Sequence, residues 1–415
     1  MKHVLTMIKG YLNPKVLAFL GLGLASQAPV NLIGGTLKYW FSTEGVDLKK
    51  IGLFGLVLMP YAFKFLWAPF IDRVNLPLAD KIGRKRTWGF TMLIMIAALL
   101  FNLSFSNPTG NLTQVFVVCL LIAFCSSTYD IAIDGLRIDL LSGDDLKQGS
   151  AVYQLGARIG FLMAVAGMIF ISSYISWRTA YQLSVSVIAV GFISLCFLKE
   201  KKKEQSDFSF RKFAIEPFRD LIKREHFLNL CIFIVLYKLC NGVLGPMAYP
   251  FYHANGFTAE QVSVVSGTFG VFITMAGIFL GGLLMLKYSY RPMLICLGIL
   301  EILTSFSFAW LSQVGPDIRL FFLVILFDNI IGGIGGAVWV AYLSGICSRT
   351  YSATQYSFLM ALTMVPLSVI ASGSGYLVEQ MGWGLFFVFT GYLMVPALFM
   401  LLSKRFSLNF QSEKK

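Results

Sequence analysis

The residues of this sequence best placed for chemistry are charges set inside apolar runs. The densest group holds Tyr129, Asp130, Asp134, Arg137 and Asp139. Asp130, Asp134 and Arg137 recur at i, i+4 and i+7, the spacing of one helix face. Ionisable groups deep in a membrane are costly and face a cavity or a partner. A carboxyl group taken out of water also binds a proton more readily, so Asp130 and Asp134 are candidates for proton coupling. Arg158 lies in the following run, at the depth of Asp130 in an antiparallel helix pair, and this register predicts a buried Asp130–Arg158 ion pair. Two readings of that pair stay open. It is either a permanent structural salt bridge or a cavity-wall pair that a proton or a ligand carboxylate breaks. Lys238 and Asp328 each sit mid-run, about 16 Å from one helix end at 1.5 Å per residue. Asp328 is therefore a third proton-coupling candidate, or else the structural partner of Lys238. Lys64 is deeper than a snorkelling lysine usually is, with snorkelling as the alternative.

Such charges need elements long enough to hold them at depth. The chain has 415 residues, 57% hydrophobic and 13% charged, with a mean hydropathy of +0.72. Soluble domains are roughly 25% charged, so a water-soluble fold is excluded. Twelve apolar stretches approach the about 20 residues that cross a hydrocarbon core. They run 16–40, 48–71, 87–106, 113–139, 149–173, 178–198, 227–253, 260–286, 291–312, 317–345, 352–377 and 383–403. The predicted fold class is an all-α integral membrane protein of twelve transmembrane helices. The first apolar stretch reads as a span rather than a cleavable signal.

The formal charge of +13 would suggest a nucleic-acid partner in a soluble protein, but its distribution argues otherwise. Of 34 Lys and Arg, four (Lys49, Lys50, Arg178, Arg319) fall outside and five within spans, leaving 25 on the cytoplasmic side. This positive-inside bias predicts that both termini are cytoplasmic. No nucleic-acid partner is expected. The seven cysteines stand singly in or beside apolar spans, which argues against a disulfide framework or a CxxC site.

The longest polar stretch, 199–226, splits the spans six and six. The expected organisation is an N-terminal half at 1–198, a linker at 199–226, and a C-terminal half with a short cytoplasmic tail at 227–415. The linker's run of Lys201, Lys202 and Lys203 between glutamates reads as a solvated loop, with a lipid-binding patch as the alternative. The halves also resemble each other. The stretch from Phe41 to Ile51 parallels that from Tyr252 to Val262, with Gly45 or Gly256 ending one helix and Asp47 or Thr258 capping the next. Gln261 completes a capping box with Thr258. Leu141, Ser142 and Gly143 likewise parallel Leu343, Ser344 and Gly345. Duplicated halves of this kind place a substrate cavity between them near the midplane. Gly156 with Gly160, and Gly332 with Gly336, have small-xxx-small spacing and read as packing contacts, with hinge roles as the alternative.

Enzyme chemistry is not supported. The three histidines are His3, His226 and His253, none clustered at metal spacing, and no GxxxxGK[ST] phosphate loop exists. Neither a cofactor nor a metal is expected. A ligand sensor that does not transport remains open.

Phe70, Asp72 and Arg73, followed by Gly83, Arg84, Lys85 and Arg86, resemble the signature loop of major facilitators. By that resemblance Asp72, Arg73 and Arg84 are cytoplasmic gate residues, and Asp139 is their partner at the end of the fourth span. The arrangement of that superfamily implies two six-helix halves, with spans 1, 4, 7 and 10 lining the cavity. Several longer motifs, in order, resemble the AmpG-type muropeptide permeases. They include Gly21, Gly23, Ala25 and Ser26 with Pro29; Lys64, Phe65, Leu66, Trp67, Ala68 and Pro69; Ala123 to Ser127 with Asp130, Asp134 and Asp139; Leu236 to Leu239; Asn329 with Gly332, Gly333 and Gly335; and Ser352 to Gln355. The resemblance covers almost the whole chain. Asn241 stands where the family has an acid, and Tyr129 where it often has Gln.

The resemblance implies a proton-coupled importer of the bacterial inner membrane, acting as a monomer by alternating access. Its substrates would be N-acetylglucosaminyl-anhydromuramyl peptides, moved from periplasm to cytoplasm. Their carboxylates would meet Arg158, Lys64 or Lys238, and their sugar hydroxyls Tyr129, Gln154 or Asn241. Shorter relatives that import siderophores or other organic anions supply the alternative substrate class.

Overall fold

A computed structural model describes residues 11, 13–46, 50, 54–107, 110–200, 215–224, 226–371 and 373–403. The expected Asp47 cap and the linker charge run at 201–204 lie outside the described residues. Among the described residues the regular secondary structure is all helix, joined by turns, with no strand. Among the described residues ten helices are long and apolar enough to cross a membrane: α1 Pro14–Thr43, α3 Arg84–Leu103, α4 Leu112–Leu140, α5 Asp144–Tyr174, α6 Trp177–Cys196, α7 Phe227–Ala254, α8 Glu260–Lys287, α9 Tyr290–Val314, α10 Ile318–Ile346 and α12 Ser374–Leu402. The label α2 is given to Phe54–Leu66 and α11 to Ser352–Ala371.

The second predicted span, 48–71, is not one regular helix. It breaks into short 3-10 and α segments before the separate helix Ala68–Arg73. Pro60 and Pro69 each start a new α segment. Proline has no amide hydrogen and cannot continue the ladder behind it.

The caps follow the sequence. Asn13 accepts from the Lys15 amide at 3.1 Å, with Pro14 opening α1. Asn111 and Ser176 cap α4 and α6 in the same way, accepting from the Gln114 and Thr179 amides at 3.1 Å. Each is worth about 1 kcal/mol. The Thr258–Gln261 capping box is present: the Thr258 amide donates to Gln261 at 3.0 Å and the Gln261 amide to Thr258 Oγ1 at 3.2 Å.

The chain packs as two compact units. The first comprises 1–218 with 347–357, and the second 219–346 with 358–415. The first turn of α11 thus belongs to the first unit.

In the first unit α1 and α5 pack most closely, because Gly156 and Gly160 let the backbones touch. A Cβ on either would overlap the Leu20 or Leu24 carbonyl oxygen. Both helices widen into π turns at neighbouring points, Leu32–Thr36 and Met163–Gly167, joined by the 2.7 Å bond from Thr36 Oγ1 to the Ala164 carbonyl. In the second unit α8 packs on α10 through Gly277 and Gly333, whose Cβ positions run into backbone of the facing helix. The expected packing role of Gly332 and Gly336 is not found. A Cβ at either meets nothing within 4 Å, whereas one at Gly333 would run into the Thr274 carbonyl of α8. The aromatic residues Phe251, Phe308, Phe321, Phe386 and Phe387 form that unit's buried cluster.

Candidate functional site

In the first unit three helices converge on Asp130, about 15 Å from the end of α4 at 1.5 Å per residue. Its Oδ1 accepts a 2.6 Å bond from Ser26 Oγ on α1, which in turn accepts from the Tyr153 hydroxyl of α5 at 2.9 Å. Lys64 Nζ of α2 stands 3.8 Å from Oδ2. Asp130 is 6% exposed. A buried carboxylate with one strong neutral donor and one loose cation can exchange a proton without losing its position.

The predicted Asp130–Arg158 pair is not formed. Arg158 is exposed and makes no ion pair or hydrogen bond among the described residues. Azimuth decides. Gly156 faces α1, and at about 100° per residue Arg158 lies about 200° around the helix from it. Gln154, one turn before Arg158, is half-buried and makes no hydrogen bond among the described residues. The two form an i, i+4 polar face with donors to spare.

Asp134 pairs within its own helix, with its Oδ1 3.0 Å from Arg137 Nη1. The Arg137 guanidinium lies over the rings of Tyr153 at 4.7 Å and Tyr356 at 5.2 Å. Tyr129 is turned into the packing. It is fully buried and its hydroxyl donates to the Leu22 carbonyl at 3.4 Å. It therefore offers nothing to a sugar hydroxyl in this conformation.

The candidate gate residues are joined by a base that the resemblance did not single out. Lys85 Nζ lies 3.1 Å from Asp72 and 2.9 Å from Asp139, and it also donates to Ser352. Asp72 accepts from the Ala353 amide at 3.3 Å, the Thr354 amide at 2.8 Å and the Thr354 hydroxyl at 2.7 Å. Ser352 Oγ donates to Asp139 at 2.8 Å. A buried carboxylate thus caps the start of α11, where free amides and the helix dipole favour negative charge. Among the described residues Arg84 makes no ion pair with a carboxylate. It donates to Asn75 at 2.7 Å and to the Asp72 backbone carbonyl. Arg73 instead lies 4.0 Å from Glu216 and over the Tyr351 ring at 5.4 Å. Tyr351 donates to Glu216 at 2.9 Å, and burial together with that carboxylate raises its hydroxyl above the usual tyrosine value.

In the second unit, among the described residues, Lys238 does not pair with Asp328, so of the two readings of that acid the structural pair is not formed. The Lys238 ammonium lies 5.1 Å over the Trp339 ring, and the acid acting on it is Glu301 of α9. Asn241 Nδ2 donates to Glu301 Oε1 at 3.0 Å. Asp328 lines a cavity of about 20 Å³ with Asn241, Glu301, Thr304 and Ser305. Glu301 escaped the sequence reading although its signal was plain: it is the one acid of a 25-residue apolar helix. Lys85 was hidden among three consecutive bases, of which it alone points inward. Ser26 and Tyr153 carried no charge to mark them.

The chain matches the Major Facilitator Superfamily over residues 19–240. It is 31% identical over 408 residues to the anhydromuropeptide permease of Escherichia coli strain K12, covering 96% of this chain and 81% of that one. It is 31% identical over 389 residues to a Rickettsia felis transporter named AmpG 4, covering 92% and 94%. Among solved structures, the human organic anion transporter MFSD10 superposes with a TM-score of 0.69 at 15% identity, covering 95% of this chain and 99% of that one. The Escherichia coli fucose:proton symporter gives 0.69 at 14%, covering 98% and 100%. At these identities the structural likeness speaks for the fold alone.

Proposed function

Because this chain belongs to the AmpG-type transporters of the major facilitator superfamily, we propose that it imports cell-wall-derived anhydromuropeptides across the bacterial inner membrane. Transport is driven by protons and proceeds by alternating access in a twelve-helix monomer of two six-helix halves, with both termini cytoplasmic. The observation that carries this reading is the geometry at Asp130, a mid-membrane carboxylate held by Ser26 at 2.6 Å and loosely by Lys64 at 3.8 Å.

A proton arriving on Asp130 removes the charge that Lys64 faces and frees that ammonium for a carboxylate of the ligand. Loss of the proton to the cytoplasm restores the pair and favours release. Gln154 and Arg158, both without protein partners among the described residues, offer amide and guanidinium donors suited to an anionic peptide. Lys238 and Asn241 are substrate contacts on the second unit, and Asp134 and Asp328 are further proton-coupling candidates. The Asp72, Lys85 and Asp139 cluster, with Arg73 and Arg84 beside it, biases one conformation. Contacts formed in one state shift an equilibrium by their differential stability.

The test is uptake of radiolabelled N-acetylglucosaminyl-anhydromuramyl peptide by proteoliposomes carrying the purified protein, with and without an imposed proton gradient. Accumulation that needs the gradient is expected. No uptake by folded protein would overturn the substrate and favour another organic anion, while uptake indifferent to the gradient would overturn the coupling.

A further inference from the structure

Glu301 of α9 is 4% exposed and half satisfied. Its Oε1 takes the Asn241 bond, whereas its Oε2 is buried with no hydrogen-bond partner among the described residues. An unsatisfied buried polar atom costs about 1–3 kcal/mol, more for a charged group. Beside it is the cavity of about 20 Å³ shared with Asp328. That volume holds about one water.

The lining of this cavity has more acceptors than donors. Thr304 Oγ1 and Ser305 Oγ spend their protons on the Leu300 and Glu301 carbonyls at 3.0 and 3.1 Å, so both hydroxyls can only accept there. Two ionised carboxylates can also only accept. Asn241 gives one of its two N–H bonds to Glu301. A single water donates two hydrogens, too few for the acceptors around it, and what the site wants is another hydrogen.

The charge balance points the same way. Glu301 interacts electrostatically with both Lys238 and Asp328. Two carboxylates and one ammonium leave a net charge of −1 in the membrane interior, where uncompensated charge is costly. The remaining titratable groups on the facing helix α7 that act on these acids, the Tyr237 and Tyr252 phenols and the Cys240 thiol, add none. Tyr237 donates its hydroxyl to the Leu294 carbonyl at 3.0 Å, and Cys240 Sγ lies 3.3 Å from Ser305 Oγ. One proton brings the set to zero and supplies the missing hydrogen.

We propose that Glu301 and Asp328 share one exchangeable proton across this cavity through a single water, with Lys238 as the fixed countercharge. A proton from water adds to a carboxylate oxygen, the bridging water relays it between the two acids, and the ammonium keeps its own. The inference rests on the proton-driven reading above and adds a second proton-binding group, in the second unit, to Asp130. It also ties that proton to a substrate contact. Asn241 is bonded to Glu301, so the charge on Glu301 sets how firmly the exposed amide is held.

The test is reaction of the purified full-length protein in detergent with dicyclohexylcarbodiimide, located by peptide mass spectrometry. The protonated carboxyl adds across the carbodiimide and rearranges to a stable N-acylurea, so a protonated acid in an apolar setting is marked. Neither substrate nor gradient is used, and the outcome is independent of what the chain transports. At this cavity at most one label per chain is expected, on Glu301 or Asp328 but never both, with a rate that falls as pH rises; a label on Asp130 is counted separately. Glu301→Gln and Asp328→Asn should each lose the label at both positions, because the remaining carboxylate then balances Lys238 without a proton. Labels on both Glu301 and Asp328 of one chain, no label at either in folded wild-type protein, or wild-type labelling of the remaining acid in either variant would overturn the proposal. So would protection by sodium chloride but not choline chloride at constant pH, which would assign the cavity to sodium. If neither variant folds, the stoichiometry on the wild type alone decides.

Discussion

Lys64 Nζ stands 3.8 Å from Asp130 Oδ2, with both side chains almost withdrawn from solvent. Charge-assisted hydrogen bonds run at about 2.7–2.9 Å, so this is a loose pair. The firm contact to Asp130 comes from neutral Ser26 at 2.6 Å. The carboxylate is therefore positioned by one group and balanced by another, which lets its charge change without its leaving the site.

Asp130→Asn keeps the shape but leaves Lys64 as an uncompensated cation. Gradient-driven accumulation of the anhydromuropeptide should be abolished while the protein stays in the membrane. Stability in detergent should fall by about 3 kcal/mol, the low end for breaking a buried pair. Joint replacement of Lys64 by Met and Asp130 by Leu should regain most of that stability and none of the accumulation. Thermal unfolding beside proteoliposome uptake checks both. Normal uptake by Asp130→Asn would remove this carboxylate from the coupling.

Lys85→Met takes the one cation from between Asp72 and Asp139. Two buried carboxylates then face each other across the start of α11, at a cost of about 3–5 kcal/mol to that arrangement. Because Asp72 accepts from the Ala353 and Thr354 amides, the effect should appear there first. Hydrogen exchange at residues 348–355 should rise in Lys85→Met, with little change in α5. Unaltered exchange would mean that the latch does not depend on Lys85.

Arg158→Ala provides the contrast. With no partner among the described residues to leave behind, the substitution should change stability by less than about 0.5 kcal/mol, as for an ordinary exposed site. Loss of a charge-assisted contact is worth about 1.5–3 kcal/mol, so anhydromuropeptide affinity should fall about tenfold or more. Equilibrium binding to purified protein measures it. Unchanged affinity would take Arg158 out of the substrate site.

What was legible in the sequence follows from what length and hydropathy can carry. Of the twelve spans read from the sequence, ten are long apolar helices among the described residues, because crossing a membrane imposes both length and hydropathy. The regularity of the second span was not readable, since Pro60 and Pro69 stop a helix without lowering its hydropathy much. Azimuth was not readable either. The loop register puts Asp130 and Arg158 at one depth, yet the glycines of α5 claim the face toward α1 and turn Arg158 away. In the second unit, reading Lys238 against Asp328 overlooked Glu301, whose place in an apolar helix was itself the signal.

The same limit separates two motifs that look alike. Gly156 and Gly160 on α5 have the small-xxx-small spacing of Gly332 and Gly336 on α10, but only the first pair sits at a helix contact. A Cβ at Gly156 would overlap the backbone oxygen of Leu20, and backbone cannot step aside as a side chain can. Gly156→Ala should therefore force α1 and α5 apart at a cost of about 1–3 kcal/mol, the usual range for overpacking. The strain falls beside Ser26 and Tyr153, which hold Asp130, so uptake should drop with it. Gly336→Ala places its methyl where nothing lies within 4 Å. Alanine favours a helix over glycine by up to about 1 kcal/mol, so that variant should be as stable as wild type or slightly more so. Thermal unfolding of the two proteins side by side decides, and equal destabilisation would show that both glycine pairs serve packing.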